Sequence, residues 1–316
     1  MSFSSETREE LCRLPFGEEC CVRAELAALI HVAGTITLSG GEMALRIATE
    51  SASCARRVFR LFKRVYGIAP QVASGQKRRL KKNHAYYLTV TKGAREALED
   101  AGLLSKKGGG LVFNRGIDRE LVRRDCCRRA YIRGAFLGAG SLTTPEKGYH
   151  LEFVLSTEEF ARDLMALINS FSLGAKNLAR KGSYVVYLKE GESISSLLVV
   201  IGAMNSVLAL ENVRVLKEMR NQVNRSVNCE TANLAKTAFA AARQIEAITA
   251  LESSGKLAKL SAPLREMAAV RLDNPEASLI ELGEMLDPPV GKSAVNHRLR
   301  RLEEMAQQLR QEKGDY

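Results

Sequence analysis

A stretch near residue 20 of this chain returns near residue 126, and no other feature limits the fold so strongly. Residues 20–37 (CCVRAELAALIHVAGTIT) and 126–143 (CCRRAYIRGAFLGAGSLT) lie 106 positions apart. They are identical at 7 of 18 positions: the Cys pair, Arg23/Arg129, Ala24/Ala130, Ala33/Ala139, Gly34/Gly140 and Thr37/Thr143. A repeat of this length predicts two similar subdomains meeting about a pseudo-two-fold axis. Ala24, Ala28 and Val32, like Ala130, Gly134 and Gly138, fall at i, i+4 and i+8, which is one face of a helix. Small side chains on that face let two helix backbones approach closely. Gly34 and Gly140 are expected to end the helices in the left-handed conformation that glycine tolerates best. The plain alternative is a core helix duplicated by gene history alone.

The segments that follow each copy run in the same order. After the first, 43–49 reads as a strand, 51–66 as an amphipathic helix, 72–76 and 86–91 as strands, and 93–101 as a helix. After the second come a strand at 151–156, a helix at 157–171, strands near 176–181 and 184–189, and a helix at 193–202. Thr49 and Thr157 stand where an N-cap would open the matching helices. The run KKGGG at 106–110 reads as a linker or loop tip. Strands then cease. Two helical stretches, 205–224 and 231–252, lead to a break at Ser253, Ser254 and Gly255. The expected domains are therefore 1–105, a linker at 106–112, 113–224, and a helical 225–316.

Residues 26–34 (LAALIHVAG) and 132–140 (IRGAFLGAG) resemble two degenerate copies of the LAGLIDADG motif of homing endonucleases. The resemblance implies an α+β fold, a pseudo-two-fold duplicated αββαββα domain with the two motif helices side by side at the dyad. In that family each motif helix presents an acidic residue, just before the last Gly, to a metal ion and a DNA phosphate. Here those positions are Ala33 and Ala139, and the other acidic motif position is filled by His31 and Leu137. A methyl group cannot ligate Mg²⁺, which takes oxygen ligands. Cleavage by the family's route lacks its ligands, so no catalytic residue is assigned.

Cysteine and histidine suggest no metal or cofactor. Seven Cys with no C-x-x-C spacing read as free thiols of a reducing cytoplasm. The adjacent pairs Cys20-Cys21 and Cys126-Cys127 could signal metal or redox chemistry, but small buried hydrophobes are the expected role. His31, His84, His150 and His297 are scattered without ligand spacing. The first residues lack the pattern of a signal peptide, and the apolar runs are too short and charged to span a membrane.

Charge points to a polyanion. Net charge is +11, and residues 51–95 alone carry twelve Lys or Arg with no Asp or Glu. These are Arg56, Arg57, Arg60, Lys63, Arg64, Lys77, Arg78, Arg79, Lys81, Lys82, Lys92 and Arg95. A dense single-sign surface attracts nucleic acid with strong salt dependence. In the resembling family the saddle-shaped sheets hold DNA, and KRRLKKN at 77–83 falls near a strand edge or turn. A solvated basic face with no partner is the alternative.

The C-terminus reads as a helix-turn-helix. Three short helices are expected at 263–272, 278–286 and 292–308, the second opened by a capping box of Ser278 and Glu281. Leu279, Leu282 and Leu286, then Val295, Leu299 and Leu302, give apolar stripes, and Gly283 allows close approach. The opposite face of the last helix carries Lys292, Ser293, Asn296, His297, Arg300 and Arg301, with Arg298 at its flank. Residues 291–301 hold four positive charges and no negative one, although 260–316 as a whole has eight bases and ten acids. A major-groove recognition helix has this distribution. A structural three-helix bundle with one basic face would share it. Gly291-Lys292-Ser293 is rejected as a phosphate loop, because Leu286 stands where the first Gly belongs.

Both parts together, with the segment SLIELGEMLDPPVGKSAVNHRLRRLEEM at 278–305, resemble the WhiA transcription regulators of Gram-positive bacteria. The resemblance implies a sequence-specific DNA-binding regulator linked to sporulation, or to cell division and chromosome segregation. It implies a cytoplasmic, nucleoid-associated monomer with internal symmetry, bound to double-stranded DNA and open to transcription or division proteins. Lys292, Ser293, Asn296, His297, Arg298, Arg300 and Arg301 are the expected specific contacts. Lys77, Arg78, Arg79, Lys81 and Lys82 are the expected backbone contacts. An Mg²⁺-dependent nuclease, an RNA-binding protein and a protein-docking platform stay open as alternatives on the same scaffold.

Overall fold

A computed structural model describes residues 2–39, 42–76, 84–107 and 110–314. The chain forms two compact units, residues 1–217 and 218–316. The first unit opens with α1 (Phe3–Arg13) and α2 (Glu19–Ala33), then β1 (Gly34–Ser39), β2 (Glu42–Thr49), α3 (Ala52–Tyr66), β3 (Gln71–Gln76), β4 (His84–Val90) and α4 (Ala94–Asp100). A hairpin of β5 (Leu104–Lys107) and β6 (Gly110–Phe113) follows. The second copy comprises α5 (Asp125–Ala139), β7 (Gly140–Leu142), β8 (Leu151–Leu155), α6 (Glu158–Asn169), β9 (Lys176–Arg180), β10 (Ser183–Leu188) and α7 (Gly191–Ile201). Each copy builds one antiparallel sheet, in the orders β1-β2-β4-β3 and β7-β8-β10-β9. The duplicated α+β domain is present.

Each sheet turns one face to the helices. Leu45, Ile47, Leu88 and Val90 from the first, and Leu151, Phe153, Val186 and Leu188 from the second, join one core with α2 and α5. The alternate residues of each strand point away from it, as the two-residue period of a strand requires. The motif helices pack along the small-residue face. A Cβ on Gly134 would stand 2.4 Å from the Glu25 carbonyl oxygen, and one on Gly138 would stand 2.2 Å from Cγ2 of Val32. At Gly134 the facing backbone excludes a side chain, and at Gly138 the Val32 side chain obstructs one.

Several local expectations change. Gly34 (φ −80°) and Gly140 (φ −77°) close their helices in extended, not left-handed, backbone. Their requirement for glycine is steric: a Cβ would meet the Ile30 carbonyl oxygen at 2.2 Å or the Phe136 ring at 2.3 Å. Ser51, not Thr49, caps α3 by accepting from the Cys54 N–H, while Thr49 Oγ1 accepts from the Ser51 N–H. Thr157 sits at the N-cap of α6 with no bond from its buried hydroxyl. The stretch 106–112 carries parts of the β5–β6 hairpin, and β1 and β7 continue straight from the motif helices. The two helical stretches beyond 203 are one helix, α8 (Met204–Ser253).

The N-terminal helix α1 was not foreseen. Its Arg8 donates to the Gly140 carbonyl of the second copy, and Ser4 Oγ accepts from the Leu142 N–H at 3.3 Å. Glu10 accepts from the N–H groups of Asn205 and Ser206 at 2.6 and 3.0 Å, so its carboxylate caps α8. A negative charge at a helix N-terminus is favourable for the reasons that make Asp a good cap.

The second unit gathers the end of α8, α9 (Ala262–Asp273), α10 (Leu279–Glu284) and α11 (Lys292–Gly314) around its own core. Ile248, Leu251, Met267, Leu282, Leu286, Val295, Leu299 and Leu302 are buried there. Both bonds of the Ser278–Glu281 capping box are made. Gly283 admits the following turn, since a Cβ there would lie 2.2 Å from the Val290 carbonyl oxygen.

Candidate nucleic-acid interface

Helix α11 is positioned by its apolar stripe. Val295, Leu299 and Leu302 are fully buried, which fixes the helix's rotation and turns the opposite face outward. Lys292, Ser293, Asn296, His297, Arg300 and Arg301 are all exposed on that face, and Arg298 is half-buried at its flank. Six of the seven candidate residues of this helix are thus solvent-exposed, and Arg298 is partly covered. Arg301 pairs with Glu304 at 3.2 Å in the open, a contact that solvent weakens. Among the described residues, Lys292, Arg298 and Arg300 have no ion-pair partner, so their charges and donors remain available. Arg can bond guanine edges bidentately, and Asn can do so with adenine.

The basic segment of the first copy is not one surface. Lys77, Arg78, Arg79, Lys81 and Lys82 lie outside the described residues. Arg57 is buried, not exposed. Arg56, Arg60, Lys63 and Arg64 project from α3, which covers the core side of its sheet, so they stand on the helix side of this half. Arg60 and Arg64 lie over the Phe16 ring at 4.8 and 5.7 Å. The open face of the first sheet carries Arg46, stacked on Tyr87 at 4.5 Å, among Thr35, Thr37, Ala48 and Thr89. Arg46 escaped the charge count because it precedes the acid-free run. The open face of the second sheet is mixed, with Glu152, Val154, Leu178 and Lys176.

At the C-terminal ends of the motif helices stand Ala33 and Ala139, which offer only methyl groups. His31, two residues before Ala33, is bound into the scaffold. Its ring stacks on Phe160 with centroids 3.6 Å apart. Its Nε2 lies 3.1 Å from the Arg115 carbonyl oxygen and its Nδ1 3.1 Å from the Tyr131 hydroxyl. A carbonyl only accepts, so Nε2 carries the proton and Nδ1 accepts from Tyr131. Burial lowers the imidazole pKa to about 4, against a smaller opposing pull from the Arg115 carbonyl and Asp163. The histidine is neutral and structural.

Two groupings are brought together only by the fold. Glu25 and Arg57, with side chains 2% and 1% exposed, form a buried ion pair. Arg133 of the other motif helix donates to the same carboxylate at 2.9 Å. Arg57 also donates to the carbonyls of Cys12 and Leu14 at 3.2 and 2.8 Å, and Arg133 to that of Ile201 at 3.2 Å. The second grouping is at the N-terminal ends of α2 and α5. There the Sγ atoms of Cys20, Cys21, Cys126 and Cys127 all lie within 4.8 Å of one another. Among the described residues no histidine joins any cluster of this kind. Among the described residues no helix is long and apolar enough to cross a membrane.

Known proteins resemble the chain along its whole length. Residues 19–104 match the WhiA N-terminal LAGLIDADG-like domain, 128–220 the WhiA LAGLIDADG-like domain, and 223–306 the WhiA C-terminal HTH domain. A probable cell division protein WhiA of Alkaliphilus metalliredigens is 50% identical over 313 residues, covering 98% of this chain and 99% of that one. Its counterpart in Heliobacterium modesticaldum is 50% identical over 317 residues, covering 99% and 98%. The crystal structure of full-length WhiA from Thermatoga maritima superposes with a TM-score of 0.61 at 27% identity, covering 98% of this chain and 99% of that one. Matched domain by domain and along its full length, this chain belongs to the WhiA family.

Proposed function

We propose that the chain reads a specific double-stranded DNA sequence with α11 and regulates transcription in the service of cell division, chromosome segregation or sporulation. The carrying observation is the exposed face of α11. It holds Lys292, Ser293, Asn296, His297, Arg300 and Arg301 opposite a fully buried stripe. A helix held that way can enter a major groove with its polar side chains at base edges. The relatives, probable cell division proteins, support the cellular context. Lys77, Arg78, Arg79, Lys81 and Lys82 are assigned non-specific phosphate contacts on the strength of their charge. The protein acts in the cytoplasm at the nucleoid, as a monomer whose internal symmetry replaces a dimer's.

In this reading the duplicated domain does not cut DNA. Metal-assisted phosphodiester cleavage needs oxygen ligands beside the scissile phosphate, and Ala33 and Ala139 provide none. The test is a binding selection on sheared genomic DNA with Mg²⁺ present, sequencing retained fragments and mapping their ends. Intact fragments sharing a promoter-proximal motif are expected. Ends clustered at one internal site would make the protein a nuclease, and random salt-sensitive retention would remove sequence specificity. On the selected motif, Arg300→Ala is expected to cost about 1–3 kcal/mol of discrimination. Equal losses on motif and random DNA would make Arg300 a phosphate contact instead.

A further inference from the structure

We propose that Cys20, Cys21, Cys126 and Cys127 form a tetrahedral four-thiolate site for a single Zn²⁺ ion, clasping the two halves of the duplicated domain at the pseudo-dyad. The geometry is that of one ion. Zinc bound by four sulfurs at about 2.3 Å places those sulfurs roughly 3.8 Å apart along the edges of the tetrahedron. Here all four Sγ atoms lie within 4.8 Å of one another, and the Cys126–Cys127 edge is 3.9 Å. Small movements of side-chain torsions close the remaining difference. An iron–sulfur cluster distributes its thiolates over two or more irons and so needs them further apart. Four soft sulfur donors this close together select zinc over the hard cations.

The surroundings suit the charge that such a site carries. Binding releases the four thiol protons and leaves a complex of net charge −2, which needs nearby positive potential. Both motif helices present their N-terminal ends here. Glu18 and Arg124 at the two N-caps supply no side-chain bond to the first turn. The positive ends of two helices therefore lie beside the cysteines at the second and third helical positions, and the acids at the first positions, Glu19 and Asp125, are paired with Arg23 and Arg129. Arg124 places Nη1 3.9 Å from Cys20 Sγ. Arg128, next along from Cys127, has a buried Nε with no hydrogen-bond partner. The Arg124 guanidinium sits where a dianionic centre would hold it, while Arg128 is turned to Asp125 and the Phe171 ring.

The site would replace what a disulfide does between two parts of a chain, with no oxidant required. Its ligands come as one adjacent pair from each copy, so neither half can complete it alone. This role is independent of whether the protein binds DNA.

The test uses the full chain, purified with a reductant and without chelator, and then stripped and titrated with Co²⁺ under anaerobic conditions. The expected result is about one equivalent of zinc as isolated. Cobalt uptake should saturate at the same stoichiometry, with the intense visible bands of tetrahedral cobalt thiolate and a thiolate-to-metal charge-transfer band. Cys20→Ser combined with Cys126→Ser is expected to reduce metal content at least about tenfold, whereas Cys229→Ser leaves it unchanged. Should the double variant misfold, the wild-type cobalt spectrum decides by itself. Absence of these bands in folded, reduced wild-type protein would overturn the proposal. So would full metal retention in a folded double variant, or a spectrum of six-coordinate oxygen ligation.

Discussion

The two motif helices can be laid over one another position by position, and the places where they differ are as instructive as those where they agree. An offset of 106 residues carries Glu25 onto Tyr131, Ala27 onto Arg133, Ala28 onto Gly134, His31 onto Leu137 and Val32 onto Gly138. The same offset carries α3 onto α6, and Arg57 onto Asp163. Identical positions serve shared geometry, such as the helix-ending glycines. The differing ones meet across the dyad: Glu25 accepts from Arg133 at 2.9 Å, and His31 faces Tyr131 at 3.1 Å. Two first copies brought together would set Glu25 against Ala27 instead. Divergence has turned a self-complementary interface into one that only the first and second copies can make, which disfavours exchange between chains.

The largest break in that asymmetry is Glu25→Ala. It leaves Arg57 buried and without its carboxylate, and removes the ionic bond to Arg133. Truncating one partner of a buried, hydrogen-bonded ion pair costs about 3–5 kcal/mol, mostly the penalty of the stranded charge. Urea unfolding is the measure. Replacing Glu25 and Arg57 together by Leu and Met should recover only part of the loss: the stranded Arg57 charge is gone, but Arg133 still lacks its carboxylate and the Cys12 and Leu14 carbonyls lose their donor. A loss below about 1 kcal/mol for Glu25→Ala would show that water reaches Arg57.

That network also marks how far the sequence could be read. The repeat, the small-residue face, the capping box and the apolar stripe of α11 were legible because each is a local pattern with a known period. Arg57 was not. In the chain it is one base among twelve in an acid-free run, and only its packing against Glu25, 32 positions away, removes it from the surface. The four thiols were half legible: each adjacent pair could signal metal or redox chemistry, but nothing local sets Cys21 beside Cys126, 105 positions further on, so small buried hydrophobes were the expected role. Helix α8 appeared as two because its middle, around Asn224, Ser226, Asn228 and Cys229, has weak helix propensity. Helix α1 was missed because its buried face, Phe3, Ser4, Thr7, Leu11 and Cys12, is diluted by polar residues, and much of its anchoring is polar bonds to distant segments.

The next difference sharpens the comparison by asking what blocks each missing side chain. At Gly138 the obstacle is Cγ2 of Val32, 2.2 Å from where a Cβ would sit, and valine has little rotamer freedom in a helix. At Gly134 it is the main-chain oxygen of Glu25, at 2.4 Å. Gly138→Ala and Gly134→Ala should each destabilise by about 1–3 kcal/mol through overpacking. The first should be largely rescued by Val32→Ala, which removes the obstructing methyl. Ala28→Gly should not rescue the second, since the backbone stays in place. Double-mutant cycles by denaturant unfolding measure both; equal rescue in the two pairs would mean that the helices simply move apart.

The smallest effect concerns the pair His31 and Leu137, a titratable group facing an inert one at matched positions. In the folded chain burial holds His31 neutral down to about pH 4, while an unfolded histidine titrates near 6.5. Between these values the unfolded chain binds a proton that the folded chain refuses. Stability is therefore complete above about pH 6.5, falls as the pH drops towards 4, and gains no further slope below it. Because the ring is only partly buried, the loss between pH 7 and 5 is expected to be about 1 kcal/mol, less than full linkage allows. His31→Leu, which gives the first copy the residue of the second, should remove that portion of the slope. It should also lower stability at pH 7, because the Tyr131 hydroxyl and the Arg115 carbonyl lose their partner. The contrast separates protonation from packing: a pH slope that survives the substitution would belong to other groups, and His31 would then matter only as a shape.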